Sequence, residues 1–444
     1  MRIIIAGDGE TGTHLANSLS VEGQDVVLIG SNAEHLAELD ATGNFITYDG
    51  SPLSRHDLME CGADAAHLFV AVTPDGTTNL VACEIAKDCG ARRCIARVDN
   101  PDLGGEREKQ LFGRFGIDLI IRPERLAARE IRHFIRHSWV TDWLEIHDGA
   151  LVISGVRMLA DGSLCGKTLR EVATNPRLFH VAAIRRGENL IIPHGDDILQ
   201  EGDTVYFSVL PENYGAIPEM CGSKVSEARR IMISGAGQVT ENLLETIHAD
   251  YDITVIEPDK ERCRVVASRF PSVAVVNSLT NDITTMKDEG IGRCDIFLAL
   301  TGSSETNIVS CMVAREQGVG KTVARIEELQ YMPEAESLSI DKIINKKLLN
   351  TGKILSMLLD SEISTMQCIS LGYMEIAEII VGEDSRATGR PVADLRIPSE
   401  LTVAGIIRDG KGMLVEGRTV MRPGDHAVVF FMPGALRKVT RFFR

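Results

Sequence analysis

The feature that most constrains this chain is that it repeats itself. RIIIAGDGETGTHLANSL, from Arg2, aligns with RIMISGAGQVTENLLETI, from Arg230, so that Gly7 and Gly235 lie 228 positions apart. HLFVAVTPDGTTNLVACEIAK aligns with DIFLALTGSSETNIVSCMVAR, and IARV with VARI; Asn79 to Asn307 and Arg97 to Arg325 are again 228 apart. Further on, VAAIRRGENLIIPHGDDILQEGDTVYF aligns with VAGIIRDGKGMLVEGRTVMRPGDHAVVF, with Gly202-Asp203 and Gly424-Asp425 now 222 apart. Whatever fold the chain adopts is therefore built twice. Its 444 residues are too many for one core, and the repeat divides them at 1–122, 123–224, 229–345 and 346–444.

The first part of each half alternates apolar strands with helices. Strands are expected at Arg2–Ala6, Asp25–Ile29 and His67–Val72, and helices at Gly12–Ser20, Ala33–Leu39 and Asn79–Cys89. That alternation implies an α/β fold with a Rossmann-like parallel sheet and right-handed crossovers. The second part is a small α+β module, with strands expected at Leu151–Met158, His180–Arg185 and Thr204–Val209 between Gly and Asp turns. A helical linker joins the parts, at 123–138 and again at 346–362. Its apolar residues Leu126, Ile131, Phe134 and Ile135, then Leu349, Ile354, Leu355 and Leu358, are expected to dock on a neighbouring domain.

Composition narrows the function. A formal charge of −16 without a dense Lys/Arg cluster speaks against duplex nucleic acid as a partner. Ten cysteines are scattered without a C-x-x-C pair, which suits a reducing cytoplasm. No run approaches the ~18–20 apolar residues that span a bilayer, and because Met1 leads directly into an expected strand, no signal peptide is expected.

Gly7-x-Gly9-x-x-Gly12 follows a strand and opens a helix, the context of a dinucleotide-binding turn. The first glycine makes the turn, the second lets the backbone approach a pyrophosphate, and the third lets helix and strand pack. Gly235-x-Gly237 repeats it, with Thr240 for the third glycine, a change expected to loosen or shift the helix. The second strand of such a fold ends in an acid that binds ribose hydroxyls. Glu257 fills that place in the second half, and Pro258-Asp259 after it favours NAD(H) over NADP(H). The first half has Gly30 there, so its cleft is expected to lack the ribose anchor and to favour ADP or ATP over NADH. Thr73-Pro74 and Thr301-Gly302 end strands at the carboxyl edge of the sheet, where ligands of open α/β sheets bind. Arg97 and Arg325 end the next strand, within reach of a phosphate, a neighbouring subunit or a local salt bridge.

No His, Lys or Tyr recurs in both halves where an acid–base group would stand beside a nicotinamide. The chain is therefore expected not to be an enzyme; an NAD-dependent oxidoreductase with tandem Rossmann domains is the alternative. A redox-sensing transcription factor would need a basic helix-turn-helix, which is absent from the sequence. His133 and His137 share a helix face but have no further ligand nearby; they are expected to be polar surface, and no metal site is expected.

The order G-x-G-x-x-G, T-x-x-x-x-T-N, AR, linker helix and β-rich module closing on G-D, all duplicated, resembles the TrkA family, the peripheral RCK (KTN) subunits of bacterial Trk potassium uptake systems. IIIAGDGETG, AVTPDGTTNLVAC, IARVDNP and ILQEGDTVYF carry the resemblance across nearly the whole chain. It implies NAD+, NADH or adenine nucleotides in the clefts. It also implies a homo-oligomeric ring on the cytoplasmic face of a TrkH- or TrkG-like potassium channel subunit, with nucleotide exchange gating ion flow. The binding positions it implies are Gly7, Asp8, Gly9, Glu10, Thr11, Gly30, Thr73, Pro74 and Arg97 in the first half. In the second they are Gly235, Ala236, Gly237, Gln238, Val239, Glu257, Thr301 and Arg325.

Overall fold

A computed structural model describes residues 1–100, 106–137, 139–147, 149–173, 178–187, 189–223, 228–338, 340–359, 365–367, 375–432 and 434–443. Ile3, Ile4, Ile5 and Ala6 are all fully buried, as are Leu298 and Ala299 in the second half. Strands covered on both faces read as continuous apolar runs, the mark of a parallel sheet between helical layers. The strand Arg2–Ala6 pairs in parallel with Asp25–Gly30 on one side and Leu68–Ala71 on the other. Ile46–Asp49, Arg93–Arg97 and Leu119–Ile121 complete a six-stranded sheet. The second half builds the same order from Ala274–Asn277, Asp252–Glu257, Arg230–Ser234, Ile296–Ala299, Lys321–Arg325 and Lys342–Ile344. In both, the strand order reverses beside the first strand, which opens a crevice at the carboxyl edge.

The helices differ from expectation at their starts. The first runs Glu10–Val21, two residues earlier than Gly12, because Gly9 in extended conformation is its cap. The helix expected from Asn79 begins at Gly76, because Asp75 accepts the N–H groups of Thr77 and Thr78.

The first small module is an antiparallel sheet ordered Asn189–Ile191, Phe179–Arg186, Thr204–Val209, Leu151–Arg157, Asp142–Ile146. In the second, Glu375–Ile380, His426–Phe431, Leu401–Arg408 and Lys411–Leu414 lie side by side in that order. The Gly-Asp repeat marks a turn in each. Gly202 and Gly424 adopt φ of 86° and 82°. Asp203 then accepts both arms of Arg186 at 2.8 Å, and Asp425 those of Arg408 at 2.8 and 2.7 Å. Burial, the largest single influence, would raise the Asp425 carboxyl, but the Arg408 hydrogen bonds, the Arg422 N–H and the charges of both arginines together hold it below the usual range.

Contacts group the chain into two compact units that cut across sequence order. The first holds Met1–Pro123, Lys347–Glu375 and Met432–Val439; the second holds Glu124–Lys346, Ile376–Phe431 and Thr440–Arg444. The linker helix Pro123–Arg136 thus belongs, all but its first residue, with the second Rossmann-like sheet, and Lys346–Leu359, from Lys347, with the first. Ile131, Phe134, Ile135 and Ile354 are buried, whereas Leu126 and Leu349 are half-buried. The side chains of Leu355 and Leu358 lie outside the described residues. Within the second unit the two small modules pack together: a Cβ on Gly405 would stand 2.5 Å from the Leu151 side chain. Lys342 joins the second Rossmann-like sheet to the first module, donating to Asp142 at 2.9 Å and to the Thr141 carbonyl at 2.8 Å. Among the described residues no helix is long and apolar enough to cross a membrane.

Candidate functional site

Each sheet carries one crevice, and its floor is the glycine loop. Gly7 has φ of 122°, a conformation that L side chains rarely adopt. A Cβ at Gly12 would lie 1.8 Å from the Gly7 carbonyl oxygen. These two glycines are therefore required by the protein's own backbone. Gly9 is not: a Cβ there would meet nothing within 4 Å. The space above it is room for a ligand rather than for protein. Gly9 and Gly237 both cap their helices in extended conformation without any side-chain hydrogen bond. Four other helices rising from this edge are capped by the side chains of Asn32, Asp75, Asp259 and Ser303. The two glycine-loop helices thus present uncapped N–H groups and the positive end of their dipoles to an anion.

The acid at the second strand end is exchanged between halves, not lost. A Cβ on Gly30 would fall 2.4 Å from the Asp8 carboxylate, which fills that space and accepts the Asn32 N–H at 3.0 Å. Glu257, at the matching strand end, reaches back to the loop instead. It accepts the N–H of Ala236 at 2.7 Å and of Asp259 at 3.0 Å. Ala236 stands where the first half has Asp8, and Asp259 where it has Asn32. The expectation that the first cleft has no carboxylate at this place is therefore corrected: the loop provides it. Glu257 is 4% exposed, so it is no solvated strand-end acid.

Thr240 is also accommodated differently from expectation. Its hydroxyl donates to the Gly235 carbonyl at 2.6 Å, turning the contact that Gly12 avoids into a hydrogen bond. Ala236 and Val239 are buried, so they offer a ligand backbone only, while Glu10 and Gln238 are exposed and Thr11 half-buried.

The opposite wall is held by a residue pair whose role the sequence did not disclose. Asn79 is fully buried; its carbonyl accepts the N–H and hydroxyl of Thr73 at 2.9 and 2.7 Å, and its amide donates to the carbonyls of Thr73 and Arg97, both at 2.9 Å. Asn307 repeats this with Thr301 at 3.0 and 2.7 Å, and with the Thr301 and Arg325 carbonyls at 3.1 and 2.7 Å. One amide thus ties two strand ends into one rim, leaving Pro74 and Gly302 exposed at its lip. The guanidinium groups of Arg97 and Arg325 pair with Asp99, at 3.2 and 3.0 Å, and with Glu327. Both arginines are half-buried.

At the first cleft the linker helix reaches the site. Lys347 pairs with Glu10 in the first turn of the glycine-loop helix. Burial, then the Lys347 charge, lowers the His14 pKa on the same helix. His133 and His137 are not polar surface: His137 stacks on Trp143 with centroids 4.0 Å apart, and burial lowers the pKa of both histidines.

Two six-stranded parallel sheets with glycine-loop crevices, each followed by a small antiparallel module, define a protein of tandem Rossmann-type domains. The chain belongs to the TrkA family: the TrkA-N domain matches residues 3–123 and 231–346, and the TrkA-C domain residues 153–222 and 376–444. Similar curated proteins include the Trk system potassium uptake protein TrkA homolog 1 of Methanosarcina mazei, 28% identical over 100% of both chains. TrkA of Halomonas elongata is 28% identical over 100% of this chain and 99% of its own, and TrkA of Vibrio alginolyticus 28% over 97% and 96%. Among solved structures the GsuK RCK domain covers 100% of this chain and 94% of its own, with a TM-score of 0.62 and 18% identity. The GsuK channel bound to NAD covers 100% and 78%, with a TM-score of 0.62 and 16% identity.

Proposed function

We propose that this chain is the nucleotide-sensing regulatory subunit of a membrane potassium uptake system, and that it has no catalytic activity of its own. The observation that carries the reading is the duplicated uncapped helix N-terminus facing open space at Gly9 and Gly237. Family membership directs it toward potassium: the relatives named above are potassium uptake proteins. The ligand proposed is NAD+ or NADH, with the pyrophosphate on the glycine loop and the adenosine ribose at Glu257 in the second cleft. In the first cleft Asp8 supplies the ribose-directed carboxylate, which removes the ground for ranking ADP or ATP above NADH there. Adenine nucleotides remain competitors for that phosphate cradle. The division at 1–122, 123–224, 229–345 and 346–444 belongs to this reading. So do a cytoplasmic ring and peripheral attachment to a TrkH- or TrkG-like subunit.

A ligand can shift a conformational equilibrium only by its difference in affinity for the two states. The Glu10–Lys347 pair supplies one route, because a phosphate at the helix start competes with Glu10 for the same positive field and so alters how Lys347 is held. A coupling of about 1–3 kcal/mol is the usual scale for such regulation.

The test is potassium flux in vesicles carrying the membrane subunit, with and without this chain, under NADH, NAD+ and ATP in turn. Flux that changes with both the chain and the nucleotide supports the proposal. Flux indifferent to the chain, or nucleotide turnover on added carbonyl substrates, overturns it in favour of an oxidoreductase.

A further inference from the structure

Away from both crevices, three metal-capable side chains converge within the second compact unit: His147, Glu378 and His426. His147 follows the strand Asp142–Ile146 of the first small module, in left-handed backbone with φ of 50°. Glu378 lies within the strand Glu375–Ile380 of the second module, its side chain 2% exposed. His426 opens the neighbouring strand His426–Phe431. The Nδ1 atoms of both histidines meet the same Glu378 Oε1, at 3.1 Å from His147 and 2.6 Å from His426. Their rings stand edge to face with centroids 5.2 Å apart. One ligand atom from each of the three residues lies within 4.8 Å of the others.

We propose that these residues hold a divalent transition-metal ion, zinc by preference, which clips the first small module to the second. The donor set decides the class of ion. Two imidazole nitrogens and one carboxylate oxygen suit Zn2+, Co2+ or Ni2+, whereas Mg2+ and Ca2+ take oxygen ligands. Ligand atoms at about 2.0–2.1 Å from a tetrahedral zinc stand roughly 3.3 Å apart. The His147 contact already matches that spacing, and the His426 contact needs to open by less than an ångström. The His147 side chain is 38% exposed, which leaves a path for the ion and a face for water as fourth ligand. The buried carboxylate between two imidazoles fixes where the ion sits. The duplication supplies this site once: the equivalent bonds Met158 N–H to Asp203 and Val381 N–H to Asp425 align Glu378 with Gly155, and His426 aligns with Thr204.

The experiment uses the full chain, stripped with a chelator, and titrates it with Co2+ followed by absorption and with Zn2+ followed by calorimetry. One equivalent per chain should bind, Co2+ should give the d–d bands of a tetrahedral nitrogen–oxygen site, and Zn2+ should raise the unfolding temperature. His147→Asn, chosen because asparagine tolerates left-handed backbone, and His426→Ala should each weaken binding at least tenfold. If His426→Ala does not fold, His147→Asn alone decides. Absence of saturable binding below ~100 μM would mean that two imidazoles share a carboxylate by hydrogen bonds alone, and overturns the site. Undiminished affinity in His147→Asn overturns it equally. Nucleotide binding is read separately, so either result leaves the reading of the clefts untouched.

Discussion

A methyl group added at Gly12 would strike the Gly7 carbonyl 1.8 Å away, whereas one added at Gly9 would touch nothing within 4 Å. Substitution should separate folding from binding accordingly. Gly12→Ala should lower stability by about 1–3 kcal/mol, the cost of overpacking, in a denaturant titration. Gly9→Ala should leave that titration unchanged and reduce NADH affinity in the first cleft at least tenfold, read by calorimetry; equal affinity would show that no phosphate approaches Gly9. The exchanged carboxylates make a second pair. Asp8→Asn and Glu257→Gln keep an acceptor but remove its charge, so each should weaken NADH in its own cleft by about 1–2 kcal/mol. An unchanged affinity in both would remove the ribose role from this position. The glycines were legible because each acts through its own backbone. The Asp8–Gly30 exchange was not, because it exists only between residues 22 positions apart that no single motif joins. Asn79 and Asn307 were visible as a repeat, but their four hydrogen bonds each depend on strand ends brought together by the sheet.

Among the elements, the strand beginning at Glu375 places a carboxyl under unusual load. Burial first, and then the Glu22 charge, push the Glu375 carboxyl up to about 8, against about 4.3 for a free glutamate. Glu22 itself accepts the N–H of Gly434, which starts the turn before the last helix Leu436–Phe443. A folded pKa above the unfolded value means stability that is fully present below about 4.3 and is lost as pH rises through about 8. The unfolding temperature should therefore fall between about pH 5 and pH 8 and level off above it, and Glu375→Gln should flatten that slope. A slope equally steep in the variant would locate the sensitive group elsewhere. The strands of the parallel sheets were readable as apolar runs, since both faces are covered. Helix starts were misplaced where caps decide them, at Gly9 and Asp75. The surface reading of His133 and His137 failed because Trp143 and Tyr214 come from other elements to cover His137, Trp143 stacked on its ring and Tyr214 edge-on to it.

For the molecule as a whole, duplication gives two crevices of one design, and the linker helices belong to compact units other than those of the sheets they follow. The repeat offset revealed the first fact; the second could not be read, because amphipathic helices such as Pro123–Arg136 show a face to bury but not the partner that buries it. The central claim is that both crevices bind a nucleotide without consuming it. Calorimetric titration of the full chain with NADH tests it most directly, alongside Gly9→Ala and Gly237→Ala, whose added methyl groups meet no protein atom within 4 Å. The account predicts two equivalents per chain, one lost in each variant and both in the double variant, with NADH recovered intact. No saturable binding up to millimolar NADH, or two equivalents still bound by the double variant, would contradict it.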